Sequence, residues 1–300
     1  MNLWGIDLGG TKIECVVLDK SSLQVVQRQR VPTEASLGYQ HILGQIKKLI
    51  DIVSERAGER PTAIGFATPG VSEPATGLMK NCNTTCMNGQ PMLQDLEATL
   101  QIPVRLANDA NCFALAETRM GVGRDYPDAA VVFGVIMGTG VGGGLVVNKQ
   151  IIKGQHGIAG EWGHNVLEEG GVLCYCGRRG CVEAVISGPA LEKYYENESG
   201  DAVKLNEIVE KHLAGQDECA TRAVNRLLEN YGKALSTLIN IIDPDLIIIG
   251  GGVGNIDLIY SEGYERIKKY VFNSGIFTTP VCKPALGDSA GVFGAALLWE

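Results

Sequence analysis

Near the start of the chain, apolar positions fall into three short stretches, residues 3–8, 13–18 and 25–31, separated by Gly9-Gly10 and by Asp19-Lys20-Ser21-Ser22. This pattern predicts three strands in an antiparallel meander. The period then changes. Ile42, Leu43, Ile46, Leu49, Ile50 and Val53 recur at helical spacing, residues 58–61 stop that helix, and the apolar run 63–67 reads as a buried strand. A segment rich in Asn, Thr and Gly, residues 81–91, leads through a short helix to a strand at 104–106 and a helix at 110–120.

The opening theme then returns as a strand at 131–137, a glycine-rich turn at 138–144 and a strand at 145–147, which suggests an internal duplication. Val224, Leu227, Leu228, Tyr231, Leu235, Leu238, Ile239 and Ile242 form one stripe of a helix over 222–242, ended by Asp243-Pro244. A buried strand at 246–249 empties into Gly250-Gly251-Gly252, and an Ala/Gly-rich helix at 291–298 closes the chain. The alternation indicates an α/β fold. No Pro- or Ser-rich linker occurs, so two interlocked domains around a cleft are expected.

At 300 residues, 45% hydrophobic and 20% charged, the chain is neither disordered nor fibrous and has room for two domains. A net charge of −8 argues against a nucleic-acid surface, which needs clustered Lys and Arg. The longest apolar stretch, 129–137, is too short to span a bilayer, and no basic segment precedes an apolar signal core, so a cytoplasmic protein is expected. Nine cysteines, most of them scattered, do not read as a disulfide framework.

Three glycine turns follow apolar strands. Asp7 stands at the end of the first, before Gly9, Gly10, Thr11 and Lys12, where backbone amides can face a phosphate and the carboxylate can meet Mg²⁺ or its waters. The alternative is a plain hairpin, although an unpaired carboxylate in a buried strand is costly. The second turn, Gly138-Thr139-Gly140-Val141-Gly142-Gly143-Gly144, matches G-x-G-x-x-G but leads into a strand rather than a helix. It therefore reads as a phosphate-holding hairpin, with Thr139 as a hydroxyl donor. Residues 250–252, extended by Gly254, form the third, and no P-loop motif occurs.

Asn108-Asp109 opens a helix, which makes Asp109 either a cap or a general base able to take the proton of an attacking hydroxyl. His164, Cys174, Cys176 and Cys181 offer four ligands for a tetrahedral structural Zn²⁺, the alternative being thiols that merely cluster. The second nitrogen of His164 is then free for a substrate, with Glu161 and Glu183 as hydroxyl acceptors. His41, His156 and His212 carry no assigned role.

Asp7-Leu8-Gly9-Gly10-Thr11-Lys12, Asn108-Asp109-Ala110-Asn111, Gly160-Glu161-Trp162-Gly163-His164 and Cys174-Tyr175-Cys176-Gly177-x-x-Gly180-Cys181-x-Glu183 together resemble the ROK family of sugar kinases and repressors, over the whole chain. The resemblance implies an actin-like ATPase (ribonuclease H-like) fold. Residues 1–107 with 290–300 would form a smaller α/β domain, and 108–289 a larger one carrying the zinc loop. It implies Asp109 as catalytic base, and sugar contacts from Asn108, Glu161, His164 and Glu183, with Gly70 and Asn83 beside them. ATP with Mg²⁺ would lie along Asp7, Gly9, Gly10, Thr11, Lys12, Gly138, Thr139, Gly140, Gly251 and Gly252. A structural zinc on His164, Cys174, Cys176 and Cys181, and a homodimer without nucleic-acid or membrane partners, complete the expectation.

Lys80-Asn81-Cys82-Asn83-Thr84-Thr85, Asn88-Gly89-Gln90-Pro91 and Glu161-Trp162 look most like the bacterial fructokinase and mannokinase branch. The expected activity is phosphorylation of the 6-hydroxyl of fructose, with mannose next. N-acetylglucosamine kinase and glucokinase are the alternatives within the family, and a sugar-sensing regulator is the alternative outside catalysis. Repressors of the family carry a helix-turn-helix before the first glycine turn, which this chain reaches by residue 9. A filament-forming actin-like ATPase has no use for the His/Cys cluster.

Overall fold

The computed structural model describes residues 2–273 and 276–300. The chain runs β1 (Asn2–Leu8), β2 (Lys12–Asp19), β3 (Val25–Pro32), α1 (Tyr39–Ala57), β4 (Ile64–Thr68), β5 (Val71–Ser72), β6 (Met79–Lys80), α2 (Met92–Leu100), β7 (Val104–Asn108) and α3 (Asp109–Arg119). It continues through β8 (Val131–Met137), β9 (Val141–Val147), β10 (Gln150–Ile151), α4 (Val182–Ile186), α5 (Gly188–Ser199), α6 (Leu205–Leu213), α7 (Glu218–Ile242), β11 (Leu246–Gly250), α8 (Glu262–Tyr270), β12 (Val281–Cys282) and α9 (Ala290–Leu297). Two compact units result. One comprises Met1–Arg124, Lys149–Ala159 and Leu286–Glu300, the other Asp125–Asn148 and Gly160–Ala285.

The first unit is built on a five-stranded sheet in the order β3-β2-β1-β4-β7. β1, β2 and β3 are the antiparallel meander, and β4 and β7 extend it in parallel. The interior strand β4 is buried at every position, whereas β3, at the edge, carries Gln27, Arg28, Gln29 and Arg30 and stays partly exposed. α1 buries Ile42, Ile46, Leu49 and Val53 against this sheet, each contributing about 1.5–3 kcal/mol. Gly58, at φ 70°, ends it.

The small residues of α9 have a packing reason. A Cβ on Gly5 of β1 would lie 2.4 Å from the Ala296 backbone nitrogen, and one on Gly65 of β4 would lie 1.9 Å from the Ala295 carbonyl oxygen. On the helix's other side, a Cβ on Gly294 would come within 1.8 Å of the Cys112 carbonyl oxygen in α3. α9 is thus wedged between sheet and α3 at backbone contact. The boundary expected at 107/108 cuts through this packing, and α3 belongs with the first unit for that reason.

In the second unit, four strands lie in the order β9-β8-β11-β12, a hairpin extended by parallel strands, as in β2-β1-β4-β7. The repeated order matches the duplication read from the glycine turns. α7 packs Leu227, Leu228, Tyr231 and Leu235 into the core beside this sheet. It starts at Glu218, about a turn before the apolar stripe predicts, because the Asp217 side chain caps it by accepting the Ala220 N–H at 2.9 Å. The second glycine turn is shorter than expected. Gly142, Gly143 and Gly144 lie inside β9, and a Cβ on Gly143 would meet the Phe133 ring at 2.6 Å. Helices α4 to α6 and the β5–β6 hairpin have no counterpart in the sequence reading. Among the described residues no helix is long and apolar enough to cross a membrane.

Candidate active site

The first glycine turn joins β1 to β2, and Gly10, Thr11 and Lys12 are exposed on it. Its shape is fixed from behind by Thr33, which is fully buried, donates its hydroxyl to the Gly9 carbonyl at 2.6 Å and its N–H to the Thr11 carbonyl at 3.0 Å. Nothing in the sequence pattern singles out Thr33. Asp7 stands opposite Glu14 in the β1–β2 register, and Glu14 is buried in ion pairs with Arg28 and Arg30 of β3. A Cβ on Gly291, in the first turn of α9, would lie 3.0 Å from an Asp7 carboxylate oxygen, so any larger residue there would press on the carboxylate. Burial, then the charges of Asp109 and Glu14, push the Asp7 pKa up to about 6 against the opposing pull of Lys12 and Arg30.

Asp109 lies at the first position of α3. The cap is Asn108, whose side-chain oxygen accepts the Asn111 N–H at 2.9 Å. The cap reading of Asp109 is thereby corrected by one residue. Asp109 Oδ1 accepts the Ala110 N–H at 2.8 Å and lies 3.3 Å from the Asn108 amide nitrogen. Solvent reaches the side chain, yet the surrounding protein leaves it poorly hydrated, and this desolvation raises its pKa against the lowering backbone hydrogen bonds. β7 places Asn108 beside Thr68 of β4, and Thr68 donates to the Gly70 carbonyl at 2.8 Å. Gly70 is buried against Lys80 and Cys82, while Asn83 is exposed nearby in sequence. Asn88 clamps that segment by accepting the Cys82 N–H at 2.9 Å and donating to its carbonyl.

In the second unit, the turns after β8 and β11 are stacked. A Cβ on Gly251, where φ is 86°, would lie 2.3 Å from the Met137 carbonyl oxygen, and one on Gly138 would lie 3.4 Å from Gly252 N. Tyr260, which sequence reasoning missed, donates to the Gly254 carbonyl at 2.7 Å and sits 3.1 Å from the Ile249 carbonyl, tying together the two ends of the third turn. A cavity of about 1000 Å³ is lined by Gly138, Thr139 and Gly252 together with Leu205, Val209 and Ile256.

Trp162 seats the neighbouring loop on β9, donating its indole N–H to the Gly142 carbonyl at 2.8 Å. The loop gathers His164, Cys174, Cys176 and Cys181, whose ligand atoms all lie within 4.8 Å of one another. His164 Nδ1 is 3.6 Å from Cys174 Sγ, and Cys176 and Cys181 are 3.6 Å apart. That is far beyond a disulfide bond and close to the ~3.8 Å edge of a tetrahedron with 2.3 Å zinc–sulfur bonds. The donor set therefore fits zinc. Two findings modify the expected sugar contacts. His164 Nε2 is not open, for the Tyr175 hydroxyl sits 3.0 Å from it. Glu183 accepts the Val141 N–H at 2.9 Å and lies 3.9 Å from the Cys174 thiol, so it also joins the second glycine turn to the cysteine cluster.

The comparisons with known proteins extend over the whole chain. The ROK family model matches residues 3–300. N-acetyl-D-glucosamine kinase of Pectobacterium atrosepticum is 37% identical, covering 98% of this chain and 98% of its own length. The crystal structure of a ROK hexokinase from Thermus thermophilus is similar with a TM-score of 0.88 at 32% identity, covering 99% of this chain and 97% of that one. A ROK family glucokinase from Streptomyces griseus, solved in complex with glucose and AMPPNP, reaches a TM-score of 0.79 at 27% identity and covers 99% of both chains. The two α/β units are the two domains of the actin-like ATPase fold, and the chain belongs to the ROK family.

Proposed function

We propose that this sugar kinase transfers the γ-phosphoryl group of ATP to the 6-hydroxyl of N-acetyl-D-glucosamine. The full-length likeness to N-acetyl-D-glucosamine kinase carries the choice of sugar. It reverses the expected order, in which fructose stood first. Two of the residues behind that expectation are occupied in holding the fold together. Lys80 is paired with Glu73 and donates to the His156 carbonyl, and Asn88 is spent on Cys82. Such a motif fixes a loop and need not encode a sugar.

The chemistry assigned to the site follows from Asp109. A sugar hydroxyl is a weak nucleophile, so the Asp109 carboxylate takes its proton as the oxygen bonds to the γ-phosphorus. The bond to the β,γ-bridging oxygen breaks and ADP leaves. The desolvation that raises the Asp109 pKa makes the carboxylate a stronger base. Asn108 and the Ala110 N–H hold one oxygen and so orient the group. Phosphates are assigned to Gly9, Gly10, Thr11 and Lys12 and to Gly138, Thr139, Gly140, Gly251 and Gly252, with the base in the apolar cavity. Asp7 suits the Mg²⁺ that accompanies ATP, since it is buried with the negative charges of Asp109 and Glu14 beside it. Glu161, His164, Glu183, Asn108, Gly70 and Asn83 are assigned to the sugar. Zinc would cross-link the loop that carries His164.

The test is the product. After incubation with N-acetylglucosamine and Mg-ATP, proton–phosphorus NMR should find the new phosphate coupled to the C6 protons, with one ADP per product. Coupling to the anomeric proton, or ADP release independent of sugar, would contradict the assignment.

A further inference from the structure

Tyr175 lies between two of the cysteine ligands, yet its side chain is 73% exposed and turned onto His164. The rings meet edge to face with centroids 5.2 Å apart. His164 Nδ1 faces the Cys174 sulfur, and with that nitrogen given to zinc the ring proton sits on Nε2. Nε2–H therefore donates to the Tyr175 oxygen, and this leaves the phenolic proton to be given elsewhere. A hydroxyl that accepts such a bond becomes a better donor.

The surroundings of that proton are acidic, since Glu161 opens the turn that carries His164 and Glu183 lies 3.9 Å from the neighbouring Cys174 thiol. Two carboxylates suit sugar hydroxyls, which can donate to them. They repel a carbonyl oxygen, which can only accept. A sugar bearing an acetamido group thus needs a donor here that a plain hexose does not.

We infer that the Tyr175 hydroxyl is a specificity-determining contact that donates to the acetamido carbonyl oxygen of the substrate, with His164 positioning it. The inference rests on the N-acetylglucosamine reading above and adds the residue that selects the N-acetyl group. Its test is Tyr175→Phe, a change at an exposed side chain that removes one oxygen.

In the variant, kcat/KM for N-acetylglucosamine should fall about tenfold, mainly through KM, while that for glucose changes by less than about threefold. Calorimetric titration of the two sugars without ATP should give the same split in Kd, at unchanged metal content and KM for ATP. Equal losses for both sugars, or no loss, would overturn the inference. The wild-type ratio of the two sugars separates the readings. A wild type that prefers glucose removes the N-acetylglucosamine assignment and this inference with it, whereas a wild type that prefers N-acetylglucosamine with an unchanged Tyr175→Phe ratio removes only the inference.

Discussion

The acidic groups of the first unit and the His/Cys cluster of the second are held in place by different means. Asp7 and Asp109 stand on β1 and α3, which α9 locks together at backbone contact through Gly5 and Gly294. Residues 160–181 contain, as regular structure, only the 3-10 turn Trp162–His164, and they expose Val166, Val172 and Leu173. Their order rests on Trp162, on backbone hydrogen bonds such as Leu167 N–H to the Gly180 carbonyl, on the Glu168–Arg226 ion pair, on glycines at positive φ such as Gly177 and Gly180, and on the bonds a metal would make. A core can fix a carboxylate with nothing bound. A loop without a core needs a cross-link, which gives the second region a dependence that the first lacks.

The comparison breaks most sharply at Asp109. Asp109→Asn should lower kcat by about 10²–10⁴ while Tm and both KM values stay close to wild type, because the scaffold is untouched. A comparable fall in Tm would mean that the carboxylate is structural. Cys176→Ser should show the opposite profile. Metal analysis should find about one zinc per chain in the wild type and none in the variant, with Tm lower by about 5 °C and KM for the sugar raised. Unchanged Tm and KM would show that the loop needs no metal.

The pH dependence sharpens the view of the first region. Asp7, with its pKa pushed up to about 6, is ionised at pH 7 and takes up a proton as pH falls through that value. Only the ionised form suits a cation, so kcat/KM for Mg-ATP should drop up to about tenfold for each pH unit below 6. Steady-state rates between pH 5 and 8 measure this, and a flat profile would contradict the assignment. The smallest effect is expected at Tyr260, which braces the third glycine turn. Tyr260→Phe should raise KM for ATP about threefold and leave KM for the sugar alone, as read from paired titrations.

The difference between the two regions also explains what the sequence made legible. Strands β1, β2, β8 and β11 declare themselves as apolar runs, and helices α1 and α7 by the period of their buried faces. The His/Cys cluster declares itself because metal ligands are rare residues at short spacing. Helices α5 and α6 are short and fully bury few residues, Gly188, Leu191 and Tyr195 in one and Ile208 in the other, so each offers only a brief stripe. Thr33, Asn88, Tyr260 and Tyr175 act through one or two hydrogen bonds each that depend on tertiary placement, and no local pattern marks them. The fructose expectation drew on residues of this kind. Lys80 and Asn88 look chemical in sequence and are structural in the fold.

The central claim is the identity of the sugar, and coupled ADP release tests it most directly. N-acetylglucosamine, N-acetylmannosamine, glucose, mannose and fructose would be compared by kcat/KM with saturating Mg-ATP. The account predicts N-acetylglucosamine first, by about tenfold or more over each plain hexose. Fructose or mannose in first place would contradict it.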